Sequence, residues 1–262
     1  MKLNIATYNI HKGVSWFSQK PRIHDMRDAL ESLDADILFL QEVQGQHDRR
    51  ARLHEHWPTQ GQHDYLAGDR REAVYGMNSV YQHGHHGNAL LSRYPISRYR
   101  NQKVSDHRFE ERGILHCVVQ MPEHEVHCYV IHFGLFASSR RRQADLLIQS
   151  IRTETPPDAP LIIAGDFNDW RNHLSAPLCQ QLSVNEVFEH LSSSHRGIQR
   201  RSRAALTFPV GAPFLPLDRI YVRGIQVKSA QVLRGKPWIR LSDHAPLTAD
   251  LELYPSPFKM SE

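Results

Sequence analysis

The sequence predicts an α/β (α+β) protein in which helices cover the outer faces of packed sheets within one domain, residues 1–262. Three observations predict it. Apolar runs of strand length outnumber helical patterns, the helical patterns are scattered between those runs, and no linker divides the chain.

Leu3 to Tyr8 alternates and reads as the first strand. Pro21 and Asp25 open a helix whose apolar stripe is Ile23, Met26, Ala29, Leu30 and Leu33. Asp36 to Leu40 is a short apolar strand ending at Gln41-Glu42, and the charged stretch Gln46 to Trp57 is expected to be helical. Gly61 to Gly87 reads as strands with long loops, and Ala89 to Ser92 as a strand stopped by Tyr94-Pro95. Ile114 to Met121 and Glu125 to Phe133 flank Pro122-Glu123 as a hairpin. Ser138 to Thr153 is a long amphipathic helix striped by Ala144, Leu147, Ile148 and Ile151. Leu161 to Ala164 is a buried strand, Leu174 to Leu191 is mostly helix, and Ser192 to Ala205 is a polar, basic, mobile loop. Asp218 to Val222, Gln226 to Leu233 and Ala245 to Leu253 complete the strands, and a short Pro-containing tail follows Tyr254.

Hydrophobic residues make up 40% of the chain and charged residues 23%, which allows a sizeable core. The formal charge of +4 suits a polyanionic partner, nucleic acid or a phospholipid head group, as well as a plain basic surface. The N-terminus reads as a strand and not as a signal peptide, and no apolar run approaches the ~20 residues of a spanning helix. A cytoplasmic location is the expectation, with no obligate protein partner evident. Cys117, Cys128 and Cys179 have no paired spacing and read as small buried hydrophobes.

The chemistry lies in polar residues that end apolar runs. Asp166 and Asn168, in Gly165-Asp166-Phe167-Asn168, follow Leu161 to Ala164, and Ser242-Asp243-His244 sets a carboxylate beside an imidazole. Asn9, Glu42 and His132 each follow a strand-like run, and Asp218 precedes one. Singly, each is an ordinary turn or surface residue. Together they supply oxygen ligands for Mg²⁺ and a base for water, the groups that metal-assisted cleavage of a phosphate ester requires.

In order along the chain, Thr7-Tyr8-Asn9-Ile10-His11, Leu40-Gln41-Glu42-Val43, Gly87 to Ile96, Glu111-Arg112-Gly113, Val130-Ile131-His132, Ala164 to Asn168, Leu217 to Val222 and Ser242 to Pro246 resemble the endonuclease/exonuclease/phosphatase superfamily. The resemblance implies a four-layered α/β/β/α sandwich, DNase I-like, with its site at one mouth between the sheets. It implies that Glu42 is the principal Mg²⁺ ligand, with Asn9 and Asp243 as direct or water-mediated ligands. His244 resembles the histidine that contacts the scissile phosphate and accepts the proton from water, with Asp218 as its orienting carboxylate. Asp166 and Asn168 resemble the pair that positions water and phosphate. His132 resembles a second histidine that binds phosphate or protonates the leaving oxygen, and Arg112 a phosphate-side cation. An oxygen-rich shell without cysteine suits Mg²⁺ or Mn²⁺ over Zn²⁺. The histidines His83, His85 and His86 lack a diagnostic metal spacing and read as a solvated loop.

Val43-Gln44 after Glu42 is similar to the DNase I-like and sphingomyelinase-like branches, and Thr7 to Gly13, His86 to Ala89 and Leu206 to Pro209 resemble a YbhP-like bacterial branch. The expected activity is phosphodiester hydrolysis, a nuclease first and a phospholipid phosphodiesterase or a catalytically silent binding scaffold as alternatives. Arg140-Arg141-Arg142 and the run Arg196, Arg200, Arg201, Arg203 offer cations for phosphates or a solvated face, and Trp16, Phe17 and Trp170 offer aromatic surface close to the site motifs.

Overall fold

The computed structural model describes residues 1–18, 20–106, 110–194 and 204–254. Twelve strands form in chain order: β1 (Lys2–Asn9), β2 (Ile37–His47), β3 (Glu72–Tyr81), β4 (Gly84–Ser92), β5 (Ile96–Lys103), β6 (Gly113–Gln120), β7 (Glu125–His132), β8 (Leu161–Asp166), β9 (Asn185–Glu186), β10 (Asp218–Arg223), β11 (Gln226–Val232) and β12 (Leu247–Glu252). One sheet has the order β11-β12-β1-β2-β4-β3 and the other β5-β6-β7-β8-β10-β9. Each is antiparallel except for one parallel pair near its middle, β1 with β2 and β7 with β8. Parallel neighbours need a crossover, and each pair has one: α1 (Ile23–Ser32) in the first sheet and α4 (Ala137–Glu154) in the second.

The central strands are apolar on both faces because both faces are covered. Leu3 and Ile5 of β1 point into the inter-sheet core, where they join Phe39, Leu115, Val130 and Ile162. Ala6 and Tyr8 of the same strand point outward, against Ile23, Met26 and Leu30 of α1. On the far side Tyr129, Ile131 and Ile163 meet Leu147, Ile148 and Ile151 of α4. The result is the four-layered α/β/β/α arrangement, and both predicted helix stripes face their sheets. Cys117 and Cys128 stand opposite each other in β6 and β7, buried and unbridged, as expected of small hydrophobes.

Several elements differ from the sequence reading. The stretch 46–57 is helical only over α2 (Asp48–Leu53), because β2 runs on to His47. Gly61 to Gly87 contains a helix, α3 (Gln62–Ala67), and its strands β3 and β4 meet in a tight turn. β5 has no counterpart in the sequence reading: it is a polar edge strand, exposed over Ser97 to Arg100, and lacks an apolar signal. The helix expected over 174–191 is two, α5 (Ser175–Leu182) and α6 (Val187–Ser194), broken where Ser183 turns left-handed at φ 55° and β9 intervenes. Arg196, Arg200, Arg201 and Arg203, with most of the loop expected over 192–205, lie outside the described residues, as does the tail from 255.

His116 and His127 are buried on the outer face of the second sheet. Their rings stack, and His116 also stacks on Tyr129 at 4.3 Å. Burial, reinforced by neighbouring positive charge, pushes them down to about 3 and about 4. The unfolded chain protonates such groups near pH 6.5, so their stability contribution is complete above that pH and is lost as pH falls toward their folded values. Urea denaturation should therefore show stability falling from pH 6.5 to 5, by up to about 1.4 kcal/mol per pH unit for each histidine. H127Q should flatten that slope, and equal slopes in variant and parent would refute the assignment.

Candidate active site

Strand register brings the polar residues to one mouth. Asn9, the last residue of β1, is level with Gln41 of β2, so Glu42 lies just beyond it. His132 ends β7 level with Asp166, the last residue of β8, and Asp166 is level with Asp218, the first residue of β10. Thr7 of β1 is level with Leu247, which places Asp243 and His244 just before β12 at that same end. Asn9 Nδ2 donates to Asp166 Oδ2 at 3.2 Å and so joins the two sheets at the mouth.

Local backbone geometry aims these side chains. Glu42 does not end its strand, as the sequence reading had it; it sits in a bulge within β2, between Leu40 and Val43, at φ 56°. Gly165, at φ +147°, has the β7 backbone so close that a Cβ would stand 2.0 Å from Ile131 O. That contact accounts for the glycine before Asp166. Asn168 is left-handed at φ 50°; its N–H donates to Asp166 Oδ1 at 2.9 Å and its Nδ2 to Phe133 O at 2.9 Å. Ser242 Oγ donates to Asn9 O at 2.7 Å and accepts from His244 N at 3.3 Å, fixing Asp243 and His244 against β1.

Two histidines flank the Asp166 carboxylate in opposite electrostatic states. His244 Nδ1 donates to Asp218 Oδ2 at 2.8 Å, and its Nε2 lies 3.7 Å from Asp166 Oδ2. Burial disfavours its charge, yet Asp218, Asp166 and Asp243 outweigh burial and raise it to about 10. His132 Nε2 lies 3.7 Å from the same oxygen. Burial and the charge of Arg112 hold its pKa well below the ordinary histidine value, so it is neutral. Asp166 is pushed up to about 7 by burial and by Asp218, against the opposing pull of His244. Burial works against ionisation of Glu42, but the charge of Lys12 prevails and holds it well below the usual carboxylate range.

Two donor sets here could hold a cation. Oxygens of Asp166 and Asp218 and a ring nitrogen of His244 lie within 4.8 Å of one another, all buried. In that set His244 Nδ1 is committed to Asp218, so a cation there would have only its Nε2 and carboxylate oxygens. Glu42 and Asp243 have side chains 21% and 19% exposed, and Asn9 adds an amide oxygen beside them. These are oxygen donors at one mouth, the two carboxylates reachable by water and Asn9 buried, a donor chemistry that fits Mg²⁺, which keeps several of its waters. Arg112 donates to Phe133 O at 3.2 Å and lies 3.6 Å from Glu110 Oε1, at the His132 side of the mouth.

The sequence model of the endonuclease/exonuclease/phosphatase family matches residues 6–244. The chain belongs to that family. It thus stands among hydrolases of phosphoester bonds. It is 40% identical over 252 residues to the uncharacterized protein YbhP of Escherichia coli (strain K12), covering 95% of this chain and 96% of that one. A family protein from Leptotrichia buccalis has a similar structure, with TM-score 0.72 and 16% identity, covering 96% of this chain and 100% of that one. D. rerio TDP2, solved with a single-strand DNA product, gives TM-score 0.67 and 17% identity over 96% of this chain and 99% of that one. At such identities the likeness is one of fold.

Within this family site, three residues escaped the sequence reading. His11 Nδ1 lies 3.0 Å from Asp243 Oδ1, and Lys12 Nζ 3.0 Å from Glu42 Oε2. Their signal was their place two and three residues after Asn9. His86 is no solvated loop residue: it lies in β4, pushed down to about 4 by burial and by the charge of Lys12. Conversely, Arg140 is not a phosphate cation. It is buried, donates to Gly134 O, and stacks over Trp170 at 4.4 Å. Arg142 is paired with Asp106.

The Asp218–His244 pair can be tested directly. D218N should fold and should lower the His244 pKa, read by NMR titration of the ring, by about 1–3 units. A ring that titrates unchanged would show that Asp218 does not set its charge.

Proposed function

We propose that this chain is a divalent-metal-dependent phosphodiesterase, residues 1–262 acting as one domain, with nucleic acid as the favoured substrate. The observation that carries the reading is the buried Asp218–His244 pair facing Asp166 at the mouth where Glu42, Asn9 and Asp243 also converge. Glu42, with Asn9 and Asp243, holds Mg²⁺ or Mn²⁺, which supplies charge neutralisation to the phosphate. Asp166, raised to about 7, takes the proton from the attacking water, which Asn168 orients, as the water oxygen bonds to phosphorus; the P–O bond to the leaving oxygen breaks, and that oxygen takes its proton from solvent. His244, already protonated, serves as a cationic donor to a phosphate oxygen rather than as the base that the resemblance implies. His132, neutral, donates a hydrogen bond to phosphate rather than a proton to the leaving oxygen, and Arg112 offsets charge on its side of the mouth. The single-strand DNA product seen with TDP2 supports nucleic acid as the substrate class. Phe17 and Leu135, 77% and 56% exposed on loops that follow Lys12 and His132, favour a membrane phospholipid as the second reading.

Hydrolysis of bis-p-nitrophenyl phosphate and of plasmid DNA should require Mg²⁺ or Mn²⁺ and stop in EDTA. H244A should lower turnover by about 10²–10³-fold while metal binding persists, and E42A should weaken metal binding. Metal-independent cleavage, or full activity in H244A, would remove this mechanism. Absence of cleavage, with phosphatidylcholine hydrolysed instead, would select the second reading.

Activity should also depend on pH in a defined direction. It should rise as Asp166 ionises through about 7 and fall as His244 loses its proton near 10, giving an alkaline plateau. An optimum below pH 6 would contradict the assignment of Asp166 as base.

A further inference from the structure

We infer that Lys12 is a positioning residue of this site: a resident cation that occupies Glu42 until the metal binds, and then passes to the phosphate of the substrate. This rests on the reading of Glu42 as a metal ligand.

The loop that carries Lys12 touches all three proposed oxygen ligands. Lys12 Nζ lies 3.0 Å from Glu42 Oε2, His11 Nδ1 lies 3.0 Å from Asp243 Oδ1, and His11 N donates to Asn9 Oδ1 at 3.1 Å. The placement is built into the backbone. His11, Lys12 and Gly13 adopt φ of 44°, 59° and 66°, three successive left-handed residues, two of them not glycine. Gln62, 1% exposed, clamps the loop: its Nε2 donates to Lys12 O at 2.9 Å, while its Oε1 accepts from Gln44 N at 2.9 Å, two residues past Glu42. A side chain at position 13 would not allow this, since a Cβ there would stand 2.4 Å from Gln62 Nε2.

An ammonium and a divalent ion cannot share one carboxylate oxygen without strong repulsion. A divalent ion on either oxygen of Glu42 would stand within about 4 Å of the ammonium, and that repulsion drives Nζ away. The Lys12 side chain is one-third exposed and ends on a flexible stem, so the displaced charge can follow the mouth to an incoming phosphate. Metal and substrate binding become coupled: the lysine opposes the first and assists the second.

Mn²⁺ titration followed by electron paramagnetic resonance tests this without turnover. K12M should bind Mn²⁺ about fivefold tighter than the parent, the scale of one partly exposed ion pair. The Mn²⁺-loaded variant should bind inorganic phosphate about fivefold more weakly. K12Q should behave alike, which guards against an effect peculiar to methionine. Mn²⁺ binding that E42A abolishes but K12M and K12Q leave unchanged or weaken would overturn the lysine assignment alone. No Mn²⁺ binding by the parent, or binding that E42A leaves intact, would overturn the ligand reading of Glu42 together with it.

Discussion

The mouth depends on one buried carboxylate. Asp166 is 1% exposed, yet it accepts from Asn9 of the first sheet and from the Asn168 backbone of its own, and it lies 3.7 Å from each of two histidine rings. A carboxylate taken out of water is costly unless donors surround it. Each of those donors is therefore constrained in turn. Asn9 must end β1 where it does, Asn168 must turn left-handed, and His244 must keep its second nitrogen on Asp218. The Asn9–Asp166 hydrogen bond, with His244–Asp218, also ties the polar end of one sheet to that of the other.

The scaffold makes such a cluster possible. Both parallel pairs, β1/β2 and β7/β8, finish at the mouth, and the inter-sheet core of Leu3, Phe39, Val130 and Ile162 lies behind it. Packed strands cannot shift by a residue without exposing an apolar face. The register that seals the core thus also sets His132, Asp166 and Asp218 level with one another. Position in the sheet then sorts the charges. His244 sits among three carboxylates and is held cationic, whereas His132 is held neutral by burial and by the charge of Arg112. Two chemically identical, equally buried rings acquire different states because only one has enough carboxylates beside it to outweigh burial.

Much of this was legible in the residue order. Apolar runs on both faces marked the central strands, and the polar residue ending each run marked the mouth. What could not be read was whatever depends on partners distant in sequence. β5 is polar because it is an edge, so periodicity had nothing to detect. The helical pattern of 46–57 yielded to a longer β2, whose bulge at Glu42 no local propensity announces. His86 looked like part of a solvated histidine run until β4 placed it opposite Gln44. Lys12 had no role assigned from the sequence, and only the folded chain puts it on Glu42. Side-chain protonation was likewise hidden: burial and neighbouring charge, which raise both Asp166 and His244, are carried by no motif.

The strained backbone positions are concentrated in the same place. Among the described residues, seven other than glycine have positive φ, and four of them, His11, Lys12, Glu42 and Asn168, belong to the mouth. Each such position costs about 1–3 kcal/mol and persists only where its surroundings over-determine it. Here the over-determination is visible. Gln62 clamps the Lys12 loop, and Asp166 and Phe133 O fix Asn168 from two sides. Relaxing any one of these residues to a right-handed turn would swing its side chain away from the cluster. The strain is therefore what converges carboxylates, amides and imidazoles on one small volume, and the rigid two-sheet core is what allows the chain to bear it.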